Sequence, residues 1–570
     1  MYILGVQGIS HDTSACLLKD GAIVAAVEEE RFVGAKHTAK FPVHSIRYCL
    51  KEAGITLEEV DYLASGWASP WTFFKKTSGN VFRVLRKSKS VITEIVVPFV
   101  TILNHNRATK LLNRKIECVE HHMAHAASAY HCSGFKEGMV MTLDGRGEAD
   151  SGFLGFYDSN GVLDIYKHMK LPNSLGHFYG GFTEYLGFRA MNGEGKVMGL
   201  APYGSPSYDL SDIIDYSSNL WLNNDYFGGI AIEVEKMAFH LKTSCHEEKL
   251  FTKRFGKPRK KDGRFNKRYE DIAASVQAKT EEIAVKMLSD LSSQYNSRTL
   301  LVSGGVGLNC VMNGKLLQSD YIDDIYIQPA ASDAGVSIGA AFYLYHKLGY
   351  KSDFVMDHAY WGPSYSNEYI KEYLDAHGIH YEEHDDIAGV SAELIAKGKV
   401  LAWFQGRMEM GPRALGNRSI LADPRKAEMK DILNFYVKHR EPYRPFCPSL
   451  LEEAADEYLE DAYPSPFMIL TFMVREKKQK EVPAITHVDG TARPQTVSKK
   501  INPLYWRLIK SFEEETSVPV IINTSFNIKG QPIVRTPRDA VKTFFNTGIE
   551  YLSIGNFLLD KSRLPANPDL

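Results

Sequence analysis

No Cys-x-x-Cys pair occurs among the seven cysteines, at positions 16, 49, 118, 132, 245, 310 and 447. Their odd number and scatter argue against zinc ribbons and a disulfide framework, and for a reducing compartment. An excess of charge of one sign is missing too: 67 Lys and Arg against 69 Asp and Glu leave a formal net charge of −2. That gives no electrostatic reason to expect nucleic acid or an anionic membrane as a partner. Long apolar runs are also lacking. The best, from Val91 to Leu103, is interrupted by Glu94 and Pro98 and is too short to span a bilayer, so it reads as a buried or lid segment. The start, MYILGVQGISHDTS, has no basic stretch followed by an apolar core. No signal peptide is expected there, and the expected location is cytoplasmic. No solenoid-period repeat and no low-complexity tract are found.

What is present is ordinary globular composition over a length that needs more than one core: 570 residues, 44% hydrophobic and 24% charged. Residues 2–28 read as three strands, YILGVQG, TSACLLK and AIVAAVEE, with the Asp20-Gly21 turn joining the last two. The theme recurs at 139–157, where MVMTLDG runs into GRGEADSGFLGFY. Each time a strand ends in a turn of small residues beside an acidic one, Asp12 and then Asp144. Such a turn can offer N–H groups to phosphate, and its carboxylate can hold a metal or water. Helices are expected near 43–54 and roughly 70–114. The second carries basic residues at 83, 86, 87 and 89, for which a solvated face is favoured over a phosphate cover.

Between them and the next strand lies HHMAHAASAYHC, residues 121–132, a run of helix formers without Gly or Pro. On a helix, His121 and His125 share one face and can reach one ion, while His122 points elsewhere. Further along, GEGKVMGLAPYG (193–204) is read as a loop bringing Lys196 and close backbone to a ligand. The nine Lys and Arg of 253–268 are read as a solvated surface loop. A long helix from about Asp271 to Tyr295 leads to the strand TLLVSGG, and Ser303-Gly304-Gly305 then open the helix carrying Asn309 and Asn313, where a nucleotide can approach. IYIQPAASDAGVSIGAAFYLY gives strand, loop and helix, with Asp333 near the helix start, either as a cap or as a functional carboxylate. The pattern breaks near 355–365, which sets the domain boundary.

The second part is rich in structured arginines: Arg407, Arg413, Arg418 and Arg425 in 406–425, then Lys438, Arg440 and Arg444, then Arg493. The strand-to-turn VIINTSFN adds Asn523, Ser525 and Asn527. Guanidinium groups in such number point to phosphate or carboxylate recognition.

The run HHMAHA, LDG, NGEGKVMGLAPYG, SGGVGLN, SDAGVSIGAA, GPRALGNRSILADPR, KHREPYRPF, HVDGTARPQT and INTSFN, in this order, resembles the O-carbamoyltransferases of the NodU/CmcH family over nearly the whole chain. The resemblance implies an α/β fold. Residues 1–355 would form an actin/sugar-kinase-like carbamoyl-transfer domain with a metal and nucleotide site. Residues 356–570 would form an α+β, YrdC-like domain that makes carbamoyl adenylate. It further implies ATP and carbamoyl phosphate as co-substrates, with Mg²⁺ accompanying ATP, and transfer of the carbamoyl group to a hydroxyl of a small-molecule acceptor, a sugar or natural product. The carried-over residues are the general base His11; the iron(II) ligands His121, His125 and Asp333; and the N-terminal nucleotide contacts Lys36, Asp144, Gly145, Gly304, Gly305 and Asn309. In the second domain Arg413, Lys438, Arg440, Arg444, Arg493, Asn523, Ser525 and Asn527 would bind carbamoyl phosphate, ATP and the adenylate. No nucleic-acid or membrane partner is implied, and a homo-oligomer stays open. The rivals are a small-molecule kinase, which would leave ADP instead of AMP, and a threonylcarbamoyl-type tRNA-modifying enzyme, which would need a basic surface.

Overall fold

The computed structural model describes residues 1–563 apart from 9, 70–71, 73–108, 111, 224–225, 227–229, 236–237 and 244–247. The apolar run 91–103, the basic positions 83–89 and most of the expected helix 70–114 therefore lie outside the described residues. The chain divides into two compact units: residues 1–25 with 39–356, and residues 26–38 with 357–570. Among the described residues no helix is long and apolar enough to cross a membrane. No disulfide joins the six described cysteines.

The first unit is built on two five-stranded sheets. Strands β1 (Tyr2–Gln7), β2 (Ser14–Lys19), β3 (Ala22–Glu28), β4 (Tyr62–Ser65) and β5 (Glu117–Cys118) are ordered β3-β2-β1-β4-β5. Strands β6 (Gly138–Leu143), β7 (Asp150–Tyr157), β8 (Leu163–Lys170), β9 (Thr299–Ser303) and β10 (Asp324–Ile327) repeat that order as β8-β7-β6-β9-β10. Polarity repeats as well. β1 is antiparallel to β2 and parallel to β4, while β6 is antiparallel to β7 and parallel to β9. The strand–turn theme seen twice in the sequence is thus the start of a five-strand duplication. β1 and β6 are central strands, buried almost throughout, and their apolar runs suit that place.

Helix α1 (Val43–Ala53) forms where expected and ends at Gly54 in the left-handed region. Helices α2 (His121–Ser133) and α7 (Val336–Lys347) pack together at close range. A Cβ on Gly339 would stand 1.7 Å from the Ala124 carbonyl oxygen, so only glycine permits this approach. Between them in sequence come α3 (Leu175–Tyr185), α4 (Glu194–Leu200), α5 (Lys267–Gln294) and α6 (Cys310–Leu317). α4, with the 3₁₀ turn Ala201–Tyr203 after it, corrects the loop expected at 193–204. Val197 and Leu200, three apart, are both buried, and that packing outweighs the helix cost of the glycines.

The second unit has a mixed eight-stranded sheet. Its strands are β11 (Glu382–Glu383), β12 (Leu401–Phe404), β13 (Arg418–Ala422), β14 (Cys447–Leu451), β15 (Gln495–Val497), β16 (Val520–Ser525), β17 (Tyr551–Ile554) and β18 (Phe557–Asp560). They are ordered β11-β18-β17-β12-β13-β16-β14-β15. Helices Ile387–Ala396 and Pro503–Thr516 pack on one another and supply core residues such as Ile395, Leu508 and Phe512.

Candidate functional site

In the first unit the helical spacing of His121 and His125 brings their Nε2 atoms to 3.1 Å from each other. Two carboxylates close on the pair. Asp144 Oδ2 lies 3.3 Å from His121 Nε2 and 3.6 Å from His125 Nε2, and Asp333 Oδ1 lies 3.4 and 3.8 Å from the same atoms. One ligand atom from each of the four residues falls within 4.8 Å of every other. Donors about 2.0–2.2 Å from a single ion at tetrahedral or octahedral angles stand roughly 2.9–3.6 Å apart, so this set fits a divalent transition metal. Asp333 is not the cap of its helical turn: Ser332 fills that place, accepting from the Ala334 N–H, and the Asp333 carboxylate is turned to the histidines.

A further layer aims the ligands. His121 Nδ1 donates to the Gly66 carbonyl (3.2 Å), which leaves the Nε2 lone pair facing the cluster. Gln7 Nε2 donates to Asp333 Oδ2 (3.1 Å), and the Gly305 N–H donates to Asp144 Oδ1 (3.1 Å). Glu148, 3% exposed, accepts from the N–H groups of Ala68 (2.7 Å) and His121 (3.0 Å), fastening the start of α2. Burial alone would raise the Asp144 and Asp333 carboxyls, but the facing imidazoles hold both below the ordinary range. Burial likewise opposes a charge on His11, yet Asp333, Asp12 and Asp144 push its pKa up to about 9; its Nδ1 lies 3.2 Å from Asp12 Oδ2.

The residues assigned to nucleotide in this unit have visible local duties. Asp144 belongs to the four-ligand cluster, a placement the sequence had offered only as an alternative for its turn. Gly304 has φ +90° and a Cβ there would meet the Leu143 carbonyl oxygen at 2.2 Å, so it lets the ends of β6 and β9 close up. The Gly145 carbonyl accepts from Ser174, the cap of α3. Asn309 caps α6 and exchanges hydrogen bonds with Gln277 at 3.0 and 3.1 Å. Lys36 is the correction. The strap 26–38 belongs to the second unit, and the charges acting on Lys36 there are Glu30, Arg31, Arg444 and Arg413.

In the second unit a set of cations converges. Lys438, 4% exposed, donates to the Ser525 carbonyl, to Asn527 Oδ1 (2.9 Å) and to the Asn527 carbonyl (3.1 Å). Burial, with Arg440, Lys36 and Arg444 nearby, holds its pKa well below the lysine range. Burial and Arg444 do the same to Arg440, against the pull of Glu441. Arg440 is anchored by Asn434 Oδ1 (2.7 Å) and lies 4.5 Å over the Phe446 ring. Arg444 is 30% exposed and pairs only loosely with Glu441, at 3.9 Å. Arg493 donates from Nε and Nη2 to Cys447 Sγ at 3.1 and 2.8 Å. Like charges brought this close to one another leave a place for an anion.

Not every arginine singled out by pattern joins this set. Arg418, fully buried, donates to the carbonyls of Gln405, Asn417, Pro363 and Gly406 and lies 3.7 Å over Phe404. Arg425 grips Asp423, and Arg407 holds the Trp361 carbonyl (2.8 Å). Asn523, 1% exposed, turns its Nδ2 to the Ala414 carbonyl, Ser449 Oγ and Gln495 Oε1. Within the basic stretch 253–268, Arg259 is no solvated residue: it is buried, donates to the Leu186 and Gly263 carbonyls and lies 4.1 Å over the Phe265 ring.

Comparison with known proteins follows the same division. Residues 2–342 match the carbamoyltransferase N-terminus family and residues 392–561 the carbamoyltransferase C-terminus family. The chain is 40% identical to the nodulation protein NolNO of Sinorhizobium fredii over 97% of this chain and 79% of that one. It is 38% identical to the uncharacterized protein sll1178 of Synechocystis sp. over 99% and 97%. The 3'-hydroxymethylcephem-O-carbamoyltransferase of Amycolatopsis lactamdurans is 34% identical over 45% of this chain and 48% of its own. Among solved structures, the (R)-2-hydroxyglutaryl-CoA dehydratase component A of Acidaminococcus fermentans aligns with a TM-score of 0.35 at 15% identity, over 61% of this chain and 99% of that one. Full-length HypF in its phosphate- and nucleotide-bound form aligns at 0.30 and 13%, over 62% and 47%. By its match to both family profiles and to full-length relatives, the chain belongs to the carbamoyltransferase family and is an enzyme of that class.

Proposed function

We propose that this enzyme is an ATP-dependent O-carbamoyltransferase with two centres: a YrdC-like second unit that makes carbamoyl adenylate, and an actin/sugar-kinase-like first unit that hands the carbamoyl group to an alcohol. The duplicated strand order of the first unit supports the second half of that reading. The observation that carries the whole is the convergence of Lys36, Arg413, Lys438, Arg440, Arg444 and Arg493, whose mutual repulsion suits the binding of phosphates.

Mass balance orders the first half-reaction. Carbamoyl phosphate gives up inorganic phosphate to water, and the carbamate oxygen attacks the α-phosphorus of ATP, brought with Mg²⁺, expelling pyrophosphate. The arginines stabilise charge that builds on the phosphates. Carbamate is a poor electrophile, and the mixed anhydride gives it AMP as a leaving group. In the second half-reaction the acceptor hydroxyl attacks the carbamoyl carbon, His11 takes its proton, and AMP departs. Iron(II) would be held by His121, His125, Asp333 and Asp144, where it would act as a Lewis acid on the departing phosphate and offset the carboxylates that keep His11 protonated.

The acceptor is a hydroxylated small molecule, the class named for the cephem relative. Incubation with ATP, labelled carbamoyl phosphate and a panel of sugars and natural-product alcohols, read by mass spectrometry, is expected to give a carbamoyl adduct and AMP. ATP turnover that is independent of carbamoyl phosphate would overturn the proposal.

A further inference from the structure

Arg493 has an electrostatic problem that Cys447 solves. The Arg493 guanidinium acts on both Arg440 and Arg444 as a like charge, so it is repelled from the place it occupies. A neutral packing contact would not hold it there. Among its contacts are two hydrogen bonds to one atom, with Nε at 3.1 Å and Nη2 at 2.8 Å from Cys447 Sγ. Two donors from one rigid fork on one acceptor fix both the position and the plane of the guanidinium. Cys447 itself is held at the start of β14, paired in register with Asn523 of β16, and is 8% exposed. The anchor is therefore part of the sheet, and the guanidinium inherits its rigidity.

We infer that Cys447 is a positioning residue of the anion site: its sulfur holds Arg493 in place to receive the phosphate of carbamoyl phosphate. The phosphate identity rests on the proposed function; the anchoring does not. Covalent capping of the sulfur should release the arginine. Methyl methanethiosulfonate does this when Sγ attacks its sulfenyl sulfur, a disulfide forms and methanesulfinate leaves with the bonding electron pair. Dithiothreitol restores the thiol.

The test uses the full chain and two readouts. Calorimetric titration with inorganic phosphate reads the anchor without any turnover, and the KM for carbamoyl phosphate in pyrophosphate release reads it in the reaction. Cys447→Ala is expected to weaken phosphate binding and raise that KM about tenfold, the loss of a hydrogen bond to a charged group, with kcat and the unfolding midpoint little changed. Cys447→Ser, which keeps an acceptor, should recover most of the loss. Unchanged phosphate affinity in Cys447→Ala overturns the inference. Should that variant fail to fold, thiomethylation of the wild type must weaken phosphate binding reversibly, and an equal loss in treated Cys447→Ser, which has no sulfur there, overturns it instead. A wild type that binds phosphate but releases no pyrophosphate would sink the proposed function while leaving the anchor testable by binding.

Discussion

Removing Glu148 should damage both the stability of the first unit and its metal affinity, although its side chain faces backbone N–H groups and not the cluster. Its Oε1 accepts from Ala68 and from His121, the first residue of α2. Glu148→Ala leaves two buried N–H groups unpaired, about 1–3 kcal/mol each, and strips an anion from a helix N-terminus, about 0.3–1 kcal/mol more. The sum is roughly 2–7 kcal/mol, large against the stability of most folded domains. Because His121 carries Nε2 into the cluster from the residue thus loosened, metal affinity should fall about 10- to 100-fold as well. Glu148→Gln keeps an acceptor oxygen and should cost only about 1–2 kcal/mol. Urea unfolding followed by circular dichroism measures the first quantity, and metal titration with plasma mass spectrometry the second. A Glu148→Ala protein within 1 kcal/mol of the wild type by the same urea analysis, or with unaltered metal affinity, would refute the reasoning.

Four other outcomes are expected. His11→Ala should lower carbamoyl transfer by about 10²–10⁴ while pyrophosphate release persists; if both stop together, the division of labour is wrong. Arg444→Ala should block pyrophosphate release itself, and normal output from that variant would remove the second unit from adenylate formation. Replacing both His121 and His125 by Ala should abolish bound metal, and stoichiometric metal in the purified variant would exclude them as ligands. His131, stacked on Phe342, is pulled down to about 3 by burial and by His346. Between pH 6.5 and 3 the unfolded imidazole binds a proton that the folded one refuses, so folding stability rises with pH there and falls on acidification. His131→Phe should flatten that part of the profile in urea titrations at several pH values, and an unchanged slope would count against the assignment.

Short-range pattern was enough wherever chemistry is set by neighbours along the chain. The Asp20-Gly21 hairpin, the apolar centre strands and the i, i+4 face of His121 and His125 need only alternation, turn residues and 3.6-residue periodicity, and the observed elements lie within a few residues of their expected ends. The repeat of strand, turn and acid at 12 and 144 was likewise visible, but only pairing of distant strands extended it to five. Tertiary structure alone decided what each polar side chain spends its hydrogen bonds on. Arg413 and Arg418 look alike in GPRALGNR, yet Arg418 is used up on four backbone carbonyls, while Arg413 acts on Lys36 within the cationic set. Asp144 joined the cluster because the end of β6 carries it to the two histidines of α2, and Lys36 joined the second unit because 26–38 packs there. Local sequence specifies backbone conformation through sterics and burial, whereas the partner of a charge is whatever the fold carries to within a few ångströms of it.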